Sequence, residues 1–234
     1  AHRNVEVLRT FAQAQALPWF YPPNTPAYRG VCHVAMPEAG HVRPGELILG
    51  TDSHTCTHGA LGAFATGIGN TDAGFVMGTG KLLLKVPETM HFRLEGKLQP
   101  GVMAKDIILH CIGEIGFDGA TYRAMQFDGP GATSLSMDDR MTVANMAIEA
   151  GGKNGVFEFD AQTQAYVDYR CKLNGTKAAY EPVARDREEK YVYELTLDLS
   201  KLEPTVACHP NPGQRKLAKE LGHLKLDRAY IGSC

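Results

Sequence analysis

Between residues 90 and 160, short apolar runs with strand character take turns with helix-period stretches, and few architectures accept that alternation. MHFRLEG (90–96), YRAMQFDG (122–129) and NGVFEFD (154–160) read as strands, while AKDIILHCIGEIG (104–116) and SMDDRMTVANMAIEAG, opening at Ser136, read as helices. Strand and helix in turn predict an α/β fold. Upstream, Val5, Leu8 and Phe11 lie at helical spacing until Pro18, Pro22, Pro23 and Pro26 forbid continuation. GVCHVAM (30–36) and ELILG (46–50) read as two further strands around the turn-rich PEAGHVRPG, and the small, Gly-rich stretch from Thr57 to Met77 as a tight core segment. A polar stretch at about 175–192 divides the chain into expected units 1–175 and 176–234. The second unit holds a strand (191–200), a basic helix and a terminal strand. No internal repeat interrupts this order.

With 234 residues, 44% of them hydrophobic, the chain can bury a sizeable core. Its 24 Lys and Arg nearly balance 26 Asp and Glu and are scattered, which argues against a nucleic-acid or membrane-surface partner and leaves a small molecule as the expected one. No run approaches the roughly 20 apolar residues of a membrane span, and the first residues lack the pattern of a signal peptide, so a cytoplasmic setting is expected. The six cysteines, without short paired spacing, predict reduced thiols, five of them structural. An opening without Met and a stop at Gly-Ser-Cys predict a partial chain.

Asp52-Ser53-His54-Thr55 packs a carboxylate, a hydroxyl and an imidazole where a strand gives way to Gly-rich chain, the position at which α/β folds present polar groups to ligands. The bland reading makes Asp52 a helix cap and His54 an ordinary hydrogen-bonded histidine. His33, in an apolar run read as a strand, must find a polar partner if buried. Glu149 follows Asn145 by one helical turn, so amide and carboxylate share a face, which is either functional or merely solvated. Cys234 stands at a predicted strand end where a thiolate is accessible, though a lone Cys proves nothing. Gly78-Thr79-Gly80-Lys81 is no phosphate loop, because Phe75 and Leu82 stand where that loop needs Gly and Ser or Thr. His54 and His58 lie four residues apart, but without the Glu or third-ligand motif of a zinc site.

Together these segments resemble the aconitase superfamily, and within it the two-subunit isopropylmalate dehydratase and homoaconitase branch. The resemblance spans nearly the whole chain, through GVCHVAMPEAGHVRPGELILGTDSHTCTHGALGAFATGIGNTD, VPETMHFRLEGKLQPGVMAKDIILHCIGEIGFDGATYRAMQFDGP, MTVANMAIEAGGKNGVF and YIGSC, in that order. It implies an aconitase-like three-layer α/β/α fold, incomplete in this chain. It also implies a [4Fe–4S] cluster on three cysteines, whose open iron acts as a Lewis acid while water leaves a hydroxy acid and returns. The implied substrate is 2-isopropylmalate, isomerised to 3-isopropylmalate in leucine biosynthesis, with homoaconitase, aconitase and dimethylmalate dehydratase as alternatives. By position, His33 with Asp52 and His54 with Glu149 match two catalytic His–carboxylate pairs. Ser53 matches a substrate-carboxylate contact, Asn145 the asparagine beside the cluster, and Cys234 the first cluster cysteine. The base that takes the carbon-bound proton belongs, in this branch, to a swivelling domain on a small subunit. With one of three cluster thiolates, this chain is expected neither to hold the cluster nor to turn over alone. A reading from another class is a non-catalytic scaffold without the cluster.

Overall fold

The computed structural model describes residues 2–186 and 188–232. After α1 (His2–Ala14) comes α2 (Cys32–Glu38), then β1 (Leu47–Gly50), a 3-10 segment (Ser53–Leu61), β2 (Phe64–Gly67) and α3 (Asn70–Thr79). There follow β3 (Thr89–Glu95), α4 (Ala104–Ile115), β4 (Ala124–Asp128), α5 (Gly129–Ser134), α6 (Met137–Asn145), a 3-10 turn (Met146–Ala150), β5 (Asn154–Phe157) and α7 (Ala161–Asn174). β6 (Tyr193–Asp198), β7 (Thr205–Ala207) and β8 (Arg215–Leu217) close the series. β1 and β2 pair in parallel, and a second parallel sheet has the order β5-β4-β3-β6. Helices and parallel sheets together form an incomplete α/β fold, as the alternation predicts.

Local chemistry places these elements. Ser136 caps α6 through a reciprocal pair in which the Asp139 amide donates to Ser136 Oγ at 3.1 Å and the Ser136 amide to Asp139 Oδ2 at 3.1 Å. Asp106 accepts the Met103 amide at 2.7 Å at the start of α4, and its other oxygen accepts from the Thr205 amide at 2.6 Å. Parallel register puts Phe92, Phe127 and Phe157 in one row across three strands, stacked at 5.3 and 5.2 Å. With Ile107, Ile108 and Ile112 of α4 and Val143 of α6 they make the core. Arg140 is buried in the interior, where its guanidinium donates twice to the Asp160 carboxylate at 3.0 and 2.6 Å.

Four sequence expectations change. Residues 30–36 are not a strand. Cys32–Glu38 is helical and satisfies its own backbone, with the Ala35 amide donating to Val31 O at 2.8 Å, because a seven-residue apolar run carries no periodicity that separates helix from strand. The Gly-rich stretch is tight only over its first half. Thr57–Leu61 are buried, whereas no residue of α3 is, since Phe75, Val76 and Met77 are adjacent and form no apolar stripe. The basic helix is the short strand β8 followed by one 3-10 turn, Ala218–Leu221, and residues 222–232 contain no strand. β6 pairs with β3, so one sheet crosses the position proposed as a boundary near 176.

The 3-10 segment and β5 approach at backbone distance. A methyl added at Gly59 would collide with the carbonyl oxygen of Gly155, and one added at Gly155 would lie 2.9 Å from Ala147 Cβ and 3.0 Å from Ala144 Cα. Glycine and alanine are therefore required where three elements meet. We expect Gly59→Ala to cost about 1–3 kcal/mol by overpacking. Gly74→Ala, with nothing within 4 Å of the added carbon, should be neutral or slightly stabilising. Urea unfolding of the two variants beside the parent checks the contrast.

Candidate functional site

β1 delivers the chain to Asp52, whose carboxylate caps the 3-10 segment by accepting the His54 amide at 2.8 Å. The same oxygen lies 2.7 Å from His33 Nε2 on α2. The capping role and the pairing role, alternatives in the sequence, are therefore one arrangement. The His54 amide bond, with His33 adding to it, holds the Asp52 carboxyl below the usual carboxylate range despite partial burial.

His54 Nε2 lies 2.9 Å from Glu149 Oε1, on the 3-10 turn that follows α6. An ionised carboxylate only accepts, so both histidines carry a proton on Nε2 and turn Nδ1 to their other neighbours. For His54 that neighbour is Ser53 Oγ at 3.1 Å. The two imidazole rings lie 6.3 Å apart. His33 is 2% exposed, whereas Asp52 and Ser53 face solvent and His54 and Glu149 are partly buried. The Oε2 atom of Glu149 is buried and has no hydrogen-bond partner among the described residues. Asn145, at the end of α6, donates through Nδ2 to Thr57 Oγ1 at 2.8 Å, and the Thr57 hydroxyl donates to His54 O at 2.6 Å. A cavity of about 190 Å³ is lined by His33, Thr57 and Asn145, together with Glu38, Asp138 and Tyr166.

Six of the seven residues singled out in the sequence thus fall in one region, His33, Asp52, Ser53, His54, Asn145 and Glu149. Cys234 lies outside the described residues. A larger cavity, about 700 Å³, lies elsewhere. It is lined by Ala124, Gln126, Val156 and Glu158 and by Arg185 and Glu189 of the segment before β6, and holds none of those six. The chemistry, not the volume, marks the site.

Sequence reasoning missed two residues here. Thr57 is 4% exposed and links His54 to Asn145, and its signal was a threonine three residues after His54, the spacing at which a hydroxyl reaches back to a main-chain carbonyl. His58, weighed only as a zinc ligand, is 1% exposed with its ring 5.8 Å from that of His33, and its buried Nδ1 has no partner among the described residues. Among the described residues no three His, Cys, Asp or Glu side chains converge as a metal site. Burial pushes the Cys56 and Cys111 thiols up to about 12, and Cys171 is buried in the core. These three buried thiols do not fit a cluster ligand set, which needs accessible thiolates; Cys32 is exposed and Cys208 half-buried, and neither joins a convergent metal-ligand group among the described residues.

Burial, with His33 contributing less, pulls His58 down to about 4 from 6.5. The unfolded chain therefore takes up this proton first, and the stabilisation is complete above about 6.5 and lost as pH falls toward 4. Unfolding midpoints in urea at about pH 7.5 and about pH 5 should fall with acid, and His58→Asn should flatten that dependence.

The family profile of aconitase (aconitate hydratase) matches residues 1–230. The chain is 53% identical over 241 aligned residues to the chloroplastic 3-isopropylmalate dehydratase large subunit of Arabidopsis thaliana, covering 100% of this chain and 46% of the relative. It is 48% identical to the 3-isopropylmalate dehydratase large subunit of Moorella thermoacetica, over 98% of this chain and 52% of the relative. To that of Aquifex aeolicus it is 47% identical, over 98% and 51%. The chain spans about half the length of these relatives. Among the described residues no helix is long and apolar enough to cross a membrane.

Proposed function

We propose, from the premise that the chain belongs to the aconitase family, that the complete protein is the large subunit of a hydro-lyase isomerising 2-isopropylmalate to 3-isopropylmalate. The observation that carries this reading is the pair of His–carboxylate contacts, His33 with Asp52 and His54 with Glu149, set on facing elements beside an exposed serine. The names of the relatives support the choice of substrate.

Dehydration removes a hydroxyl from one carbon and a hydrogen from its neighbour, and rehydration returns them exchanged. Hydroxide is a poor leaving group, so the departing oxygen needs a proton. An imidazole held in one tautomer by a carboxylate meets that need near neutral pH. His54, fixed at Nε2 by Glu149 and only partly buried, is assigned the proton transfer at the leaving oxygen through Nδ1, which gives up a proton when water leaves and takes it back when water returns, and the more deeply buried His33, fixed by Asp52, is assigned a supporting place beside it. Ser53, exposed and next to His54, is assigned to a substrate carboxylate. The cluster implied by the family would draw its thiolates from outside the described residues, with Cys234 as this chain's contribution. We assign the carbon-bound proton to a small subunit carrying a swivelling domain, and the compartment to the cytoplasm.

His54→Ala in the full-length, anaerobically reconstituted large subunit, assayed with its small subunit on 2-isopropylmalate, should lower turnover about 10²–10⁴-fold. Its melting temperature should change little, because His54 is partly exposed. Near-parental turnover with the cluster intact would remove His54 from the mechanism. No turnover of the branched malate by the parent complex would remove the substrate assignment.

A further inference from the structure

Thr57 carries one hydroxyl proton and two lone pairs. Its oxygen lies 2.6 Å from His54 O and 2.8 Å from the Asn145 side-chain nitrogen. A main-chain carbonyl cannot donate, so the Thr57 proton is committed to His54 O. Only lone pairs remain for Asn145, and Asn145 must therefore turn its NH₂ toward Thr57. A carboxamide flips by half a turn with almost no change of shape, so the choice of end is made by the hydrogen-bond network and not by packing. The amide oxygen of Asn145 is left as the end not engaged by Thr57, and Asn145 lines the same cavity as His33.

The backbone reinforces this setting. Cys56 Sγ donates to the main-chain oxygen of Asn145 at 3.3 Å, so two successive residues of the 3-10 segment grip Asn145. Asn145 is also the last residue of α6 and leads into the turn that carries Glu149. Thr57 is buried and meets the cavity beside Asn145, so its influence on a ligand is argued through the amide.

We propose that Thr57 is a positioning residue that sets the polarity of Asn145, so that the site offers an amide oxygen and selects a ligand donating an O–H at that point. The opposite polarity would offer an NH₂ and favour a carboxylate. Naming that donor as the hydroxyl of a hydroxy acid, or the water derived from it, rests on the function proposed above; the polarity itself does not.

Two measurements on the full-length protein test this. The first is NMR of asparagine-labelled large subunit without substrate, with the Asn145 carboxamide signal assigned by its loss in Asn145→Asp. The carboxamide protons should be protected from exchange in the parent and in Thr57→Ser, and lose that protection in Thr57→Val. Unchanged protection in Thr57→Val would overturn the proposal, whatever the substrate proves to be. The second is a double-mutant cycle on kcat/KM in the reconstituted complex. Thr57→Val should lower kcat/KM about 5–100-fold, the range expected when a buried polar partner is left unsatisfied, and Thr57→Ser should restore most of it. In an Asn145→Ala background Thr57→Val should have little further effect, because its influence runs through the amide. An equal loss in both backgrounds would make Thr57 merely structural and overturn the proposal. If Thr57→Val does not fold, Thr57→Ala enters the same cycle and the same NMR comparison. A parent complex inactive on every hydroxy acid would defeat the proposed function while leaving the NMR result to decide the role of Thr57.

Discussion

The contact between Gly59 and Gly155 is the constraint on which the site depends. No side chain fits between the 3-10 segment and β5, and the next layer, Ala144 and Ala147, follows at contact distance. Because these elements meet at backbone distance, His54 at one end of the segment comes within 2.9 Å of Glu149, although 95 residues separate them in sequence. Moving the segment outward by the thickness of a methyl group would lengthen that bond beyond hydrogen-bonding range. The glycines that make this stretch look loosely specified are what fix it.

A second economy lies in Asp52. One carboxylate oxygen satisfies an orphan amide at the start of the 3-10 segment and orients the imidazole of His33. The group that starts the segment is therefore the group that sets a tautomer, and the local fold cannot change without disturbing the chemistry. Thr57 repeats the device one turn later, joining the His54 carbonyl to the Asn145 amide. Local hydrogen bonds along the segment thus pass into contacts between elements distant in sequence, which is how a short peptide aligns residues from α2, α6 and the turn after it.

This division also separates what the sequence discloses from what it does not. β3, α4 and the start of α6 were legible within a residue or two because their determinants are local, namely apolar periodicity together with the Ser136–Asp139 cap, whereas the end of that helix, read through to Gly151, gives way at Met146 to a 3-10 turn. The helix Cys32–Glu38 was misread because a short apolar run takes its form from its neighbours. Nor did composition announce that Tyr193–Asp198 would join the sheet beside β3, since parallel partners are chosen by a long crossover. For the site, the DSHT tetrapeptide stood out by its chemistry, but the pairing of His33 with Asp52 and of His54 with Glu149 came from family resemblance. No local pattern encodes a contact between distant segments. Thr57 escaped because a buried threonine looks like filler until its hydrogen-bond partners are known.

Hydrogen-bond accounting points to what the site lacks. His33 and His54 spend their Nε2 protons on carboxylates, the Thr57 proton goes to a carbonyl, and the Asn145 amide protons turn toward Thr57. The buried Oε2 of Glu149 remains unpartnered among the described residues. The protons of those four donor side chains are directed inward to the frame, and lone pairs on His33, His54 and Asn145 remain. A molecule that brings protons on oxygen complements them, and a dehydrating site must give a proton to the leaving oxygen and take one back from the water that returns. The frame around Gly59 holds those acceptors in place before the ligand comes, so that binding need not meet the cost of arranging them.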